Sequence, residues 1–388
     1  MRAAWWLALS TIAHERWRSA LLVAATALVA LLPVVVDRLL ASIEQAARQR
    51  TAASALVVGS AGSRFDLVLS SLWFRGRTPD VLPFREIDRV RADGLAEAVP
   101  LHVRNSARGW PLCGTTPQYF ARRGLTVATG DLPLLLGECV LGAAVAARDG
   151  LRVDDKILSD RRNPLAIDEG DPLRMRIVGI LAPTGTADDH AVFTSLQTAW
   201  IVDGLGHGHA DAKSARDEQV MRREGALVVL DSSVRAFQEI DASNVDSFHF
   251  HADQGDLPLT AVLAFPRDDR SATILAARYR VLADRDAVVP REVVDELLGY
   301  VFGLKQVFDL QVGLVAGAVA LLLVLLVFLT VRLRAGEIRT LHHIGASRST
   351  IIATFAIEFG LLIVVGLVVA AGLAAVVLWS LQSRLPWS

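Results

Sequence analysis

The sequence predicts an α-helical membrane protein with a mixed α+β extracytoplasmic domain, its three transmembrane helices extended as stalks. Three observations carry that expectation. Of 388 residues, 52% are hydrophobic, and the apolar excess is concentrated in three runs, 20–36, 310–331 and 351–381. Strand-like and helix-like patterns mix without strict alternation between the first two runs, which favours α+β over a doubly wound sheet. A polar, basic segment from Arg332 to Thr350 separates the last two, with Arg334, Arg339 and Arg348 inside it. A basic loop joining two spans faces the cytoplasm, where it can meet a soluble partner.

Residues 1–18 carry Arg2, Arg16 and Arg18 with Trp5, Trp6 and Trp17, the composition of an interfacial helix leading into a span at 19–40. A cleaved signal peptide is the other reading. Asp37 and Arg38 stand where its small-residue cleavage site belongs. With the N-terminus cytoplasmic, 41–305 lies outside, a second span at 306–331 returns, 332–350 is a cytoplasmic loop, a third span at 351–381 exits, and 382–388 is an external tail. At 1.5 Å per residue the run 351–381 is about 46 Å long, beyond the ~30 Å hydrocarbon core yet too short for two spans. It is therefore one tilted, kinked or projecting helix, with Gly360, Gly366 and Gly372 as candidate bends. Glu358 is costly against lipid, so a bond to a neighbouring helix is expected of it. Gly366, Ala370 and Ala374 form a small-x-x-x-small series suited to a close helix seam.

In the outer domain, 66–74, 175–181, 226–233 and 260–266 read as strands, and 85–99, 143–151 and 272–284 as helices. Residues 42–55 continue the first span as helix, and Pro290 opens a helix that runs into the second. Cys113 and Cys139 are the two cysteines; an oxidising compartment would allow a bond between them, and two separate buried thiols are the alternative. His207, His209, His249 and His251 form two H-x-H pairs near Asp211 and Asp253. On a strand each pair shares one face and could hold zinc or copper. The spacing lacks a tight zinc signature, so solvated histidines stay the first reading and no metal is assigned. The net charge of −1 gives no case for nucleic acid. There is neither a G-x-x-x-x-G-K-[ST] phosphate loop nor a G-x-S-x-G elbow, so a non-catalytic chain is expected.

GEIRTLHHIGASRSTIIATFAIEFGLLIVVGLVVAAGL resembles the FtsX-type permease module of MacB-like ABC transporters. Glu337, Ile338, Arg339, Leu341, Gly345, Ala346, Ser347, Glu358, Gly366 and Gly372 carry the resemblance. SALVVGSAGSRFDLVLSSLWFR and CGTTPQYFARRGLTVATGDLP are similar to the outer domain of one branch. Members usually carry four spans and three are legible here. That leaves a naturally short member, another subunit in the fourth place, or a truncated sequence.

The resemblance implies a bacterial inner-membrane permease subunit with a periplasmic domain. It implies a cytoplasmic ABC ATPase partner holding ATP and Mg, a second permease copy or related subunit, the lipid bilayer, and a periplasmic accessory protein. Arg334, Glu337, Arg339, Leu341, Gly345, Ala346 and Ser347 would form the ATPase-coupling loop. The implied work is mechanotransmission, driving export or extraction of a lipid, lipoprotein or peptide-like substrate. The competing reading is a membrane-anchored ligand- or metal-binding sensor or scaffold that regulates an envelope enzyme.

Overall fold

The computed structural model describes residues 2–52, 56–161, 172–208, 220–224, 227–230, 238–343 and 345–382. Two compact units emerge. One combines Met1–Gln45 with Leu297–Leu385; the other is built on Ala46–Glu296.

The first unit is helical. A short helix, Arg2–His14, precedes Arg16–Ala52; Pro290–Leu333, Ala335–His343 and Arg348–Gln382 follow in the last third of the chain. Among the described residues, three helices are long and apolar enough to cross a membrane: Arg16–Thr51, Pro290–Leu333 and Arg348–Ser380. Leu314, Leu321, Leu322 and Leu325 are each more than half exposed. Such a contiguous apolar surface needs a lipid or protein cover. The helices Arg16–Ala52 and Pro290–Leu333 have 37 and 44 residues. They are thus about 56 and 66 Å long, roughly twice a hydrocarbon core. Lys305 joins them through Asp37 at 3.0 Å. Gly366 of the last helix faces Thr26 so closely that a Cβ there would lie 2.7 Å from the Thr26 Cβ. Ala370 and Ala374, one and two turns on, are buried with it.

The second unit is mixed. Its main sheet runs, in spatial order, through Gln238–Glu239, Leu173–Leu181, Glu138–Leu141, Val192–Ser195, Trp110–Thr115, Ala96–Ala107, Ala261–Pro266, Leu56–Ser60 and Arg285–Val288. Parallel pairs (Trp110–Thr115 with Val192–Ser195, for example) sit beside antiparallel ones. The mixed α+β expectation therefore holds for this unit. Leu173–Leu181 alternates buried and more exposed positions, the period of a strand with one face on a core. One core gathers Val58, Val90, Trp200, Val262, Leu275 and Tyr279; the other gathers Leu112, Cys139, Leu141, Ile157, Ile177 and Val192.

Two segments depart from the sequence reading. Residues 66–74, expected as a strand, lie mostly in the helix Arg64–Leu72, whose N-cap Ser63 accepts from the Asp66 N–H. Over nine residues the apolar pattern fitted both periods, and the cap decides. Residues 85–99, expected as one helix, form the helix Glu86–Arg91 and then enter the strand Ala96–Ala107. Asp93 and Gly94 adopt φ 58° and 61° between them, which an α-helix cannot continue through. The strand expected at 226–233 is present as Leu227–Leu230; its remaining residues lie outside those described.

Candidate functional site

The helical unit holds a knot of four charged side chains. Glu358 enters one end of the last helix and is 1% exposed. The Nη2 of Arg18 donates to its Oε1 at 2.7 Å, and Arg334 Nη1 lies 3.8 Å from its Oε2. Glu15 completes the group, paired with Arg18 and 3.4 Å from Arg334. Two acids and two bases sum to zero charge, which is how a carboxylate is kept among apolar helices. Arg18 also lies over the ring of Phe359, 5.7 Å from its centroid.

Next to this knot the basic segment is folded. Ala335–His343 is helical; Gly345 then takes φ 97°, a region that favours glycine. Ser347 Oγ accepts from the Thr350 N–H at 3.2 Å and caps the helix that begins at Arg348. Leu7, Thr11, Ile338, Ala346, Thr350 and Phe355 line a cavity of about 90 Å³ here. Arg339 and Ser347 are exposed, whereas Arg334 turns inward to Glu15 and Glu358. The side chains of Glu337 and Leu341 lie outside those described.

A second charged group lies in the mixed unit. Arg50, in the last turn of the helix Arg16–Ala52, is buried against Asp188, with 4% and 1% exposure. Its Nη1 and Nη2 both donate to the Asp188 carboxylate, the second at 3.0 Å, a bidentate pair. Its Nε donates to Leu72 O at 2.8 Å, while the Tyr119 hydroxyl donates to Asp188 Oδ1 at 2.6 Å and Thr186 Oγ1 to Oδ2 at 3.0 Å. Burial by itself pushes the Asp188 carboxyl up; the Arg50 guanidinium, with Arg123 and the Tyr119 hydroxyl, overrides this and holds it at about 2. The end of the long helix is thereby anchored to the segment Ala187–His190 and to the helix Pro117–Arg123.

Cys113 and Cys139 are both buried free thiols, which corrects the candidate disulfide. Cys113 pairs with Phe193 and Cys139 with Thr194, so the strand Val192–Ser195 runs between them. Adjacent residues of that strand point to opposite faces, and two strand spacings are about 10 Å, beyond the Cα separation a disulfide spans. Burial pushes the Cys139 thiol well above its ordinary value. His207, His249 and His251 meet across one two-stranded antiparallel sheet, whereas His209 and Asp211 lie outside the described residues.

The sequence points to Glu358 but not to Glu15, Arg50 or Tyr119, and to Asp188 only as an acid beside His190. Arg18 was read only as a topology signal. An acid buried among apolar helices demands a cation, and that was the available clue to Arg18.

The described residues thus combine three helices long and apolar enough to cross a membrane, a folded basic segment between two of them and a mixed α+β domain. The chain matches the model of the MacB-like periplasmic core domain over residues 19–239 and that of the FtsX-like permease C-terminal over 311–388. It belongs to the MacB/FtsX-like family of ABC transporter permeases. Among solved structures, the periplasmic region of MacB from Actinobacillus actinomycetemcomitans is similar at 11% identity, over 64% of this chain and 95% of that one, with a TM-score of 0.37. The extracellular domain of the noncanonic ABC-type transporter YknZ from Gram-positive bacteria is similar at 8% identity, over 60% and 99%, with a TM-score of 0.33. No curated protein matches the chain.

Proposed function

We propose that this chain couples ATP hydrolysis by a separate cytoplasmic ATPase to movement of its mixed domain, which lies outside the cytoplasm, in the inner membrane of a bacterium. ATP and Mg belong to that partner, and a second permease copy completes the assembly. The three long helices cross the bilayer, with the N-terminus and 332–350 on the cytoplasmic side. The observation that carries this reading is the folded segment between the last two long helices. Its helix Ala335–His343, glycine turn and capped helix start present Arg339 and Ser347 outward, while Arg334 is spent inward on Glu15 and Glu358.

A rigid, internally neutralised base with an outward rim suits a docking element. Movement there would travel along the helices Arg16–Ala52 and Pro290–Leu333, and the Arg50–Asp188 pair gives the first of them a firm hold on the mixed domain. Export or extraction of a lipid, lipoprotein or peptide-like substrate follows from this mode of work. The test is purification of the tagged chain from its native membrane in mild detergent. A stoichiometric P-loop ATPase should copurify and be lost with Glu337→Lys/Arg339→Glu. Recovery of the folded chain without an ATPase, under conditions that hold a known ABC transporter together, would overturn the proposal.

A further inference from the structure

The two-stranded antiparallel sheet of Gly206–Gly208 and Phe248–Phe250 has two unlike faces. Gly206 pairs with Phe250, His207 with His249 and Gly208 with Phe248. On the inner face a Cβ at Gly206 would lie 2.7 Å from the Phe250 ring, and one at Gly208 2.6 Å from the Phe248 ring. The glycines therefore leave room for two phenyl rings, which pack onto the cores of the mixed unit. Strand alternation sends the intervening residues the other way. His207 and His249 share that outer face, and His251 joins them from just past the strand end. The three ring centroids are 4.8–5.1 Å apart.

We infer that His207, His249 and His251 form a binding site for one divalent zinc-class ion. The nitrogens converge: one ligand atom from each ring can be chosen so that all lie within 4.8 Å of one another. Nε2 of His251 is 3.4 Å from Nε2 of His207. Two nitrogens on one tetrahedral ion, each at about 2.0–2.1 Å, stand about 3.3–3.4 Å apart. That edge already has the separation of a ligand pair, and the widest edge needs to close by no more than about 1.4 Å (4.8 less 3.4), within reach of ring rotation on these half-buried or exposed side chains. A hydrogen bond between two Nε2 atoms requires one of them to carry its proton there; on ion binding that ring takes its other neutral tautomer, the proton passing through solvent to Nδ1, so that Nε2 is free to ligate.

His249 is oriented for the role. Its Nδ1 lies 3.1 Å from Ser247 O, which can only accept, so Nδ1 bears the hydrogen and Nε2 the lone pair. An imidazole held through its far nitrogen by a carbonyl is the usual support of a metal-ligating histidine. Three neutral imidazoles suit zinc, copper or nickel and leave a fourth position open to water or a ligand.

The test is a Co2+ titration of the full chain in detergent, purified without a polyhistidine tag, followed by displacement with Zn2+. One equivalent of Co2+ should bring the intense visible absorption of a tetrahedral ion, and Zn2+ should abolish it. His207→Ala, His249→Ala and His251→Ala should each weaken Co2+ binding at least about tenfold, while His342→Ala/His343→Ala should leave it unchanged. Absence of the band in the wild-type chain would overturn the site without recourse to any variant. So would a band of equal strength in the His207→Ala/His249→Ala/His251→Ala chain.

Discussion

Arg50 and Asp188 offer the sharpest test of how the long helix is held. Asp188→Asn keeps the size of the side chain and an acceptor for the Tyr119 hydroxyl, but removes the charge that faces a guanidinium only 4% exposed. Arg50→Met keeps the length and removes the other charge. Asp188→Asn strands Arg50, a loss of about 3–5 kcal/mol, and Arg50→Met leaves Asp188 with the more distant Arg123, at 4.0 Å, and costs towards the lower end of that range. At about 1.4 kcal/mol per tenfold, that opens the surrounding structure a few hundred- to a few thousand-fold more often. Hydrogen–deuterium exchange on the full chain in detergent reads this directly in peptides covering Pro117–Arg123 and Val192–Ser195. The double variant strands neither member of the pair, and the loss of Arg123's neighbour is common to it and to Asp188→Asn, so its exchange should lie far below the product of the single effects, a coupling of about 1.5 kcal/mol or more. Strict additivity of the two changes would refute the reasoning, because it would mean that the pair contributes nothing as a pair.

The same carboxylate sets a pH dependence. Its folded pKa of about 2 lies below the unfolded value near 3.9, so its contribution is complete above about pH 4 and is lost as pH falls through about 2. It amounts to roughly 2.5 kcal/mol, and acid unfolding of Asp188→Asn should lack this component. Ser347→Ala removes a helix cap worth about 1 kcal/mol, so amides of the first turn after Arg348 should exchange about fivefold faster. Gly366→Ala and Gly372→Ala should differ in sign. The first pushes a methyl against Thr26 and lowers the melting midpoint in detergent; the second meets nothing within 4 Å and gains up to about 1 kcal/mol of helix propensity. Glu358→Gln leaves Arg18 and Arg334 sharing Glu15 and should cost about 1–3 kcal/mol, since Arg18 and Arg334 are partly exposed. An unchanged melting midpoint would count against the knot.

What could be read from the sequence was set by how local its cause is. Runs of apolar residues, the glycine turn at Gly345 and the cap at Ser347 are each decided within a few positions, and the three apolar runs lie in the three long helices. The segment 66–74 was harder, since nine residues fit a strand and a helix alike until Ser63 is seen to bond back to Asp66. Asp93 and Gly94 broke a pattern that apolar spacing alone would have carried through to residue 99. Long-range pairs were out of reach. Nothing near Arg50 announces Asp188, 138 positions away, and nothing near Cys113 tells that a strand from residues 192–195 will come between it and Cys139. The histidine pairs were visible as a motif. Their meeting depended on a register between two segments more than forty residues apart, written in glycines that make way for phenylalanines.

The knot around Glu358 has a consequence for the order in which the protein is made. Arg18 and Glu358 are 340 positions apart. At about 5–20 residues per second, roughly 17–70 seconds of synthesis pass between the two. Through that interval Glu15 is the acid at hand for Arg18, and the first helices wait in a provisional arrangement. Arrival of the last helix is then the closing step of assembly, one that a ribosome stalled before residue 358 never reaches.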